Sequence, residues 1–219
     1  MHKDVTGIIL SGGKSSRMGQ NKSLMKIGGT TIIEGVVDLM LSLFPEVILI
    51  TNEPDDYKFL GLPTYEDVFR HRGPLAGIHS GLKHSKTNIN FIISCDLPFM
   101  TKEMINCLIE YKTDKLITVA KADGFIQQLA GKYSKECLSP SEKILKEVVN
   151  NENRDAVQKK RKCNVLSLID LVGAEIISAE SLPFYNEDLY FNMNRTEDYN
   201  SLLNKLRLKD INVKLDMKR

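Results

Sequence analysis

A three-layer α/β/α sandwich around a mostly parallel sheet is the fold predicted by this sequence, on three observations. Short apolar runs recur without polar–apolar alternation, the pattern of strands buried on both faces. Amphipathic helical stretches lie between them, and strand–helix repetition builds layered α/β domains. Glycine-rich and polar clusters follow the runs, and sheets of this class bind ligands beyond the carboxyl ends of their strands. At 219 residues the chain can bury a sizeable core as one domain, without a metal or disulfide to hold it.

The first run, residues 6–11 (TGIILS), is stopped by Gly12 and Gly13. A second, 46–51 (EVILIT), ends at Asn52. A third, 90–94 (NFIIS), ends at Cys95 and Asp96, and a fourth, 115–120 (KLITVA), follows. Thr31 with Glu34 forms a capping box, and Ile32, Ile33, Val36, Val37, Met40 and Leu41 continue at helical spacing. Gly73-Pro74 opens a second helix over 75–82. A third starts near Thr101, with Met104, Ile105, Leu108 and Ile109 as its apolar stripe. Residues 140–149 read as helical, with Ile144, Leu145, Val148 and Val149 inward. Residues 150–154 form a polar break. The basic run Lys159, Lys160, Arg161, Lys162 is either a solvated helix end or a contact for a phosphorylated ligand or partner. A strand is expected over 164–169, and Asn194 with Glu197 caps a last helix through Tyr199, Leu202, Leu203 and Leu206.

Several function classes drop out. With 30 basic against 28 acidic side chains the net charge is only +2, too weak a bias for a nucleic-acid surface. The apolar runs fall far short of the roughly 18 to 20 residues of a membrane span. MHKDVTG runs directly into the first strand without a secretion-signal pattern, which makes the Asn194-Arg195-Thr196 sequon a coincidence. Cys95, Cys107, Cys137 and Cys163 lack the close pairing of a zinc or redox motif and read as reduced thiols, so the expected compartment is the cytoplasm. His2, His71, His79 and His84 are too scattered to form an evident metal set. His71, between Arg70 and Arg72, is either a solvated loop residue or a phosphate contact. Ser15 and Ser16 have no evident base to activate them as nucleophiles.

The strongest local signal is LSGGKSSRMGQNKSL, residues 10–24. A buried strand opens into two glycines, then small hydroxyl residues and three cations, Lys14, Arg17 and Lys22. Glycines let the backbone turn and present N–H groups to an anion, and cations on the same loop neutralise phosphate. The Walker pattern asks for glycine at the position of Ile8, so this is not a P-loop, and it is not GxGxxG either.

That stretch resembles the LAGGxSxRMGxDKxL opening of the molybdenum cofactor guanylyltransferases, a branch of the Rossmann-like nucleotidyltransferases. YEDVFRHRGPLAGIHSGL (65–82) resembles the family's acidic residue followed by GPLAG, SCDLPFM (94–100) its PCDxPF segment, and FNMNRTEDY (191–199) its terminal FxNxNTPEDL. The blocks run in family order across nearly the whole chain. The first and third belong to the wider nucleotidyltransferase group; GPLAG and FNMN point to the molybdopterin branch.

The resemblance implies a role for each matched residue. Leu10, Ser11 and Gly12 would line the nucleotide through their backbone, and Gly13, Ser15, Arg17 and Lys22 would surround its phosphates. Asn52 would contact the guanosine, Asp67 would assist nucleotide binding, and Asp96 would hold Mg²⁺. Arg17, Lys22 and Asp96 are thereby the expected catalytic set. Gly73, Pro74, Leu75 and Gly77 would shape a loop against nucleotide and pterin. Asn192 and Asn194 would lie near the second substrate or serve the fold. For Asp96 the alternative is an Asx turn or cap before Pro98.

The implied reaction moves GMP from GTP to the terminal phosphate of molybdopterin and releases pyrophosphate. A nucleotide-binding part of about residues 1–112 and an acceptor-binding part of about 113–219 would form the single domain. Molybdenum-enzyme apoproteins or other cofactor-assembly proteins are the implied partners. The sequence also allows a CTP-dependent or other nucleotidyltransferase acting on a small phosphorylated acceptor, and a non-catalytic nucleotide-binding accessory protein. There are departures from the family. Asn21 replaces the usual aspartate before the lysine, Ser11 replaces alanine, and Arg195-Thr196 replaces Thr-Pro. FIQQL (125–129) is only loosely like the family's proline-containing segment.

Overall fold

The first apolar run forms β1 (Val5–Leu10), all six residues buried. The computed structural model of the chain describes residues 1–12, 21–27, 29–150, 164–192 and 198–199. A small antiparallel pair, β2 (Lys26–Ile27) and β3 (Thr30–Thr31), leads into α1 (Ile32–Leu41). The capping box is complete: Thr31 Oγ1 accepts from the Glu34 amide at 3.3 Å, and Glu34 Oε2 accepts from the Thr31 amide at 2.6 Å.

The chain continues through β4 (Glu46–Ile50), β5 (Thr64–Tyr65), α2 (Pro74–His84), β6 (Ile89–Ser94) and α3 (Lys102–Glu110). Then come the hairpin strands β7 (Ile117–Ala122) and β8 (Phe125–Ser134), followed by α4 (Leu138–Asn150), α5 (Val165–Val172) and β9 (Glu175–Ser178). Seven strands make one sheet in the order β5-β4-β1-β6-β8-β7-β9. Within it β8 runs antiparallel to both neighbours, and the other pairings are parallel.

Residue parity sorts the core into two layers. Val5 and Ile9 of β1 face α1 and α3, with Ile33, Val36, Met40, Met104 and Leu108. Ile8 and Leu10 face α2, α4 and α5, with Leu75, Ile78, Leu82, Leu145 and Leu168. Each such fully buried side chain contributes about 1.5–3 kcal/mol of transfer free energy. The expected three-layer sandwich is therefore what forms. Gly81 lets α2 press against β1: a Cβ there would stand 2.6 Å from Ile8 Cγ2.

One expectation is overturned. Residues 164–169 are not a strand but the start of α5. Asn164 caps it, its Oδ1 accepting from the Ser167 amide at 2.8 Å, and Val165, Leu168 and Ile169 are buried at helical spacing. The fourth strand also ends later than expected, at Ala122, because Asp123 (φ 52°) and Gly124 (φ 80°) make a tight left-handed turn into β8. The basic run at 159–162 lies outside the described residues. So does the expected terminal helix, apart from Asp198 and Tyr199, which are helical.

His79 on α2 is almost wholly buried, edge-on to Phe69 at 5.0 Å, and its Nδ1 has no partner among the described residues. Burial lowers its pKa, with Glu142 opposing and Lys83, Lys146 and His84 assisting. Below the ordinary value of 6.5 the unfolded chain takes up a proton that the folded chain refuses, so stability falls as pH drops through that value. His79→Leu is expected to flatten the loss of Tm between about pH 7 and pH 5. An unchanged slope in the variant would place the acid sensitivity elsewhere.

Candidate active site

Register places the carboxyl ends of β5, β4, β1 and β6 side by side. Leu10 lies opposite both Ile50 and Ser94, and Ile50 opposite Tyr65. The ladder runs one residue further: the Ser11 amide donates to Ile50 O at 2.9 Å, Cys95 to Leu10 O at 3.0 Å, and Thr51 to Tyr65 O at 2.9 Å. Ser11–Gly12, Asn52, Asp67 and Asp96 therefore leave the sheet along one edge. The crossover direction reverses between β1 and β6, the switch point at which open α/β sheets form a crevice.

On one side of β1, Asn52 and Asp67 form a reciprocal pair. Asn52 Nδ2 donates to Asp67 Oδ2 at 2.8 Å, and the Asp67 amide donates to Asn52 Oδ1 at 3.2 Å. Burial raises the Asp67 pKa, opposed by the Asn52 hydrogen bond and by the charges of His71 and Arg70. The loop between Asp67 and α2 is pinned where the Val68 amide donates to Ser80 Oγ at 2.9 Å. His71 is exposed with φ 61°, and Arg70 pairs with Glu66. Gly73 caps α2 at φ 73°, ψ −166°, a conformation that disfavours any side chain, and Pro74 takes the first helical position. Leu75 is fully buried in the core, so it anchors the start of α2 rather than facing the crevice. A Cβ on Gly77 would lie 3.3 Å from Leu10 Cδ2 and 3.7 Å from Asp67 Oδ1, so α2 starts right against the crevice floor.

On the other side stand Lys22 and Asp96. Lys22 begins a single turn, Lys22–Leu24, capped by Asn21. Asp96 follows β6, and its Oδ1 is buried with no hydrogen-bond partner among the described residues. Burial raises the Asp96 pKa. Hydrogen bonds from Ser94 and its own backbone, the charge of Lys22 and a hydrogen bond from Asn192 act the other way. Asn192 reaches this position because Leu189 and Tyr190 are buried against the α1–α3 layer, while Phe191 meets Phe99 at a ring separation of 5.9 Å. Leu10 and Ser11 are buried, whereas Gly12 is exposed at the crevice edge. Gly13, Ser15, Arg17 and Asn194 lie outside the described residues.

Two further residues contribute to the site without a role assigned to them from the sequence. Ser94 supports Asp96 from the last position of its strand. Tyr57, in the stretch PDDYKFL, places its hydroxyl 2.7 Å from Ser11 Oγ. Ser94 falls within the SCDLPFM block, at the position where the family pattern has proline, whereas no motif marks Tyr57.

Residues 7–163 match the family described as the MobA-like NTP transferase domain. The chain belongs to that family. It is 36% identical over 210 residues to a protein of Carboxydothermus hydrogenoformans named "Probable molybdenum cofactor guanylyltransferase", covering 95% of this chain and 100% of that one. A solved structure from Aquifex aeolicus is 29% identical, with a TM-score of 0.70 over 87% of this chain and 94% of its own. Molybdopterin-guanine dinucleotide biosynthesis protein A from Archaeoglobus fulgidus shares the fold, with a TM-score of 0.75 at 18% identity over 92% of this chain and 98% of its own. The motif resemblance and the Rossmann-like α/β fold are thus borne out for this member of the MobA-like family.

Proposed function

We propose that the chain transfers GMP from GTP to the terminal phosphate of molybdopterin, releasing pyrophosphate. The observation that carries this is the buried, unpartnered Asp96 oxygen beside the charge of Lys22, at the edge where Gly12 and the Asn52–Asp67 pair also emerge. The family and its guanylyltransferase relatives supply the substrate class.

An ionised phosphate oxygen of the acceptor attacks the α-phosphorus, and the bond to the bridging oxygen breaks with its electron pair leaving on pyrophosphate. No strong general base is needed, since the acceptor phosphate is already ionised near neutral pH. The difficulty is electrostatic, and Lys22 and Arg17 meet it by neutralising and orienting phosphate. The Leu10, Ser11 and Gly12 backbone, with Gly13 and Ser15, lines the nucleotide. Asn52 and Asp67 meet the guanosine part, Gly73, Pro74, Leu75 and Gly77 support that wall, and Asn192 and Asn194 are assigned to the acceptor.

Asp96 fits Mg²⁺. Its free oxygen is a hard donor, and burial of its charge is a cost that a divalent cation would offset. No cluster of three or more His, Cys, Asp or Glu side chains is gathered for a metal among the described residues, so substrate phosphates would complete the shell. When bound, the ion supplies charge neutralisation on the phosphates.

The nucleotide-binding part of about residues 1–112 and the acceptor-binding part of about 113–219 belong to the same proposal. One sheet spanning both, joined at β6–β8, supports a single domain. No helix among the described residues is long and apolar enough to cross a membrane. The cytoplasm is the proposed compartment, and molybdenum-enzyme apoproteins or other cofactor-assembly proteins are the proposed recipients of the product.

The test is calorimetric titration with GTP, CTP and ATP in Mg²⁺, followed by pyrophosphate release with molybdopterin. GTP is expected to bind at least tenfold more tightly, about 1.4 kcal/mol. A CTP preference would assign the chain to a cytidylyl transfer, and absence of pyrophosphate release with every nucleotide would end the enzymatic reading.

A further inference from the structure

Tyr57 is only 2% exposed, and a buried phenol hydroxyl needs partners. It has three within hydrogen-bond distance: Ser11 Oγ at 2.7 Å, Asn21 Nδ2 at 2.7 Å and Ser23 Oγ at 2.8 Å. The proton directions follow from counting hydrogens. Ser23 Oγ spends its one hydrogen on Asn21 Oδ1, at 2.7 Å, so Tyr57 must donate to Ser23 Oγ. Ser11 Oγ and the Asn21 amide group donate to Tyr57. Every hydroxyl hydrogen in the cluster is thus assigned, and Asn21 serves as donor through Nδ2 and acceptor through Oδ1.

The cluster joins two separate parts of the crevice. Ser11 continues β1, held by its amide to β4 and by Cys95 Sγ at 3.5 Å. Asn21 and Ser23 stand immediately before and after Lys22. Burial raises the Tyr57 pKa, the hydrogen bonds from Ser11, Ser23 and Asn21 opposing, so the hydroxyl keeps its proton at neutral pH.

We propose that Tyr57 is a positioning residue for Lys22: its hydroxyl ties the residues on both sides of the lysine to the end of β1 and so sets where the ammonium group stands relative to Asp96. This rests on the reading of Lys22 as the phosphate-binding lysine. Tyr57 touches no reacting atom and acts through the turn that carries the lysine.

The experiment compares Tyr57→Phe, Lys22→Ala and the double variant by titration with GTP and Mg²⁺ into the millimolar range. KM values for GTP and molybdopterin are read alongside. Tyr57→Phe is expected to weaken GTP binding and raise its KM about tenfold, with the KM for the acceptor held within about twofold. In the Lys22→Ala background, Tyr57→Phe should add little, because no lysine remains to be positioned.

Full additivity with Lys22→Ala, or equal damage to both KM values, would overturn the positioning role and leave a merely structural tyrosine. So would unchanged GTP binding by Tyr57→Phe. If Lys22→Ala itself binds GTP like the wild type, the reading of Lys22 fails and the proposal falls with it. Should Tyr57→Phe fail to fold, Asn21→Ala in the same cycle decides, since it removes one of the same bonds from a half-buried position.

Discussion

Replacing Asp96 by asparagine is expected to lower kcat/KM for nucleotidyl transfer by about a thousandfold, about 4 kcal/mol of transition-state stabilisation. The substitution keeps the shape of the side chain and changes one atom from a charged acceptor to an amide. The carboxylate oxygen concerned is buried and has no hydrogen-bond partner among the described residues, so the folded state gains nothing from it through hydrogen bonding. Its raised pKa gives the sign of the stability effect. A carboxyl whose pKa is higher folded than unfolded favours folding fully below the unfolded value and loses that contribution as pH rises through the folded value. At neutral pH the ionised Asp96 is therefore a cost to the protein without metal. Asp96→Asn should keep or raise Tm in a thermal melt while activity collapses. A variant retaining activity within tenfold of wild type would remove Asp96 from the catalytic set.

Lys22→Ala is the second large effect, an expected fall of about 10²–10³ in kcat/KM. Lys22 acts on Asp96 by charge, lowering a pKa that burial raises, so its loss also makes the carboxylate harder to keep ionised. The Mg²⁺ concentration for half-maximal activity should rise in the same variant. Lys22→Arg should restore only part of the rate, since a planar guanidinium does not occupy the position of a compact ammonium at the start of a capped turn. Full recovery with arginine would show that net positive charge near the phosphates is sufficient.

The expectations that held share a physical reason. β1, β4 and β6 are continuous apolar stretches because helices cover both their faces, and such runs announce themselves. The Thr31–Glu34 box is written entirely in local residues. β8 was hidden because Gln127, Gln128 and Lys132 break its apolar pattern. Lys132 is nonetheless buried, and its Nζ donates to Ile109 O at 3.3 Å and Tyr111 O at 2.9 Å, satisfying the carboxyl end of α3. Only tertiary structure supplies that partner. The Asp123-Gly124 pair between β7 and β8 is a local hairpin signal, but without an unbroken apolar pattern after it the second strand does not stand out.

α5 shows the opposite error. VLSLID is apolar enough for a strand, and what decides it is the cap at Asn164 together with the burial of Val165, Leu168 and Ile169. In the site, a motif carries Lys22 and Asp96. Tyr57 has no local signature, because its three partners lie 34 to 46 residues away in the chain. Replacing the family's aspartate with Asn21 is not a simple loss of charge either, for the amide supplies a donor to Tyr57 that a carboxylate lacks.

The reversed direction of β8 has a consequence for how such a protein can diversify. Its ladder with β6 ends at Ile93 opposite Ala130, so Phe125–Leu129 continue on the side where Asp96 leaves the sheet. The beginning of one strand thus borders the end of another along a single seam. Insertions in the Asp123–Gly124 turn, or exchanges among its flanking residues, would remodel that border without shifting the register of β5, β4, β1 and β6. This border can therefore vary while the edge that carries Gly12, Asn52, Asp67 and Asp96 is inherited intact.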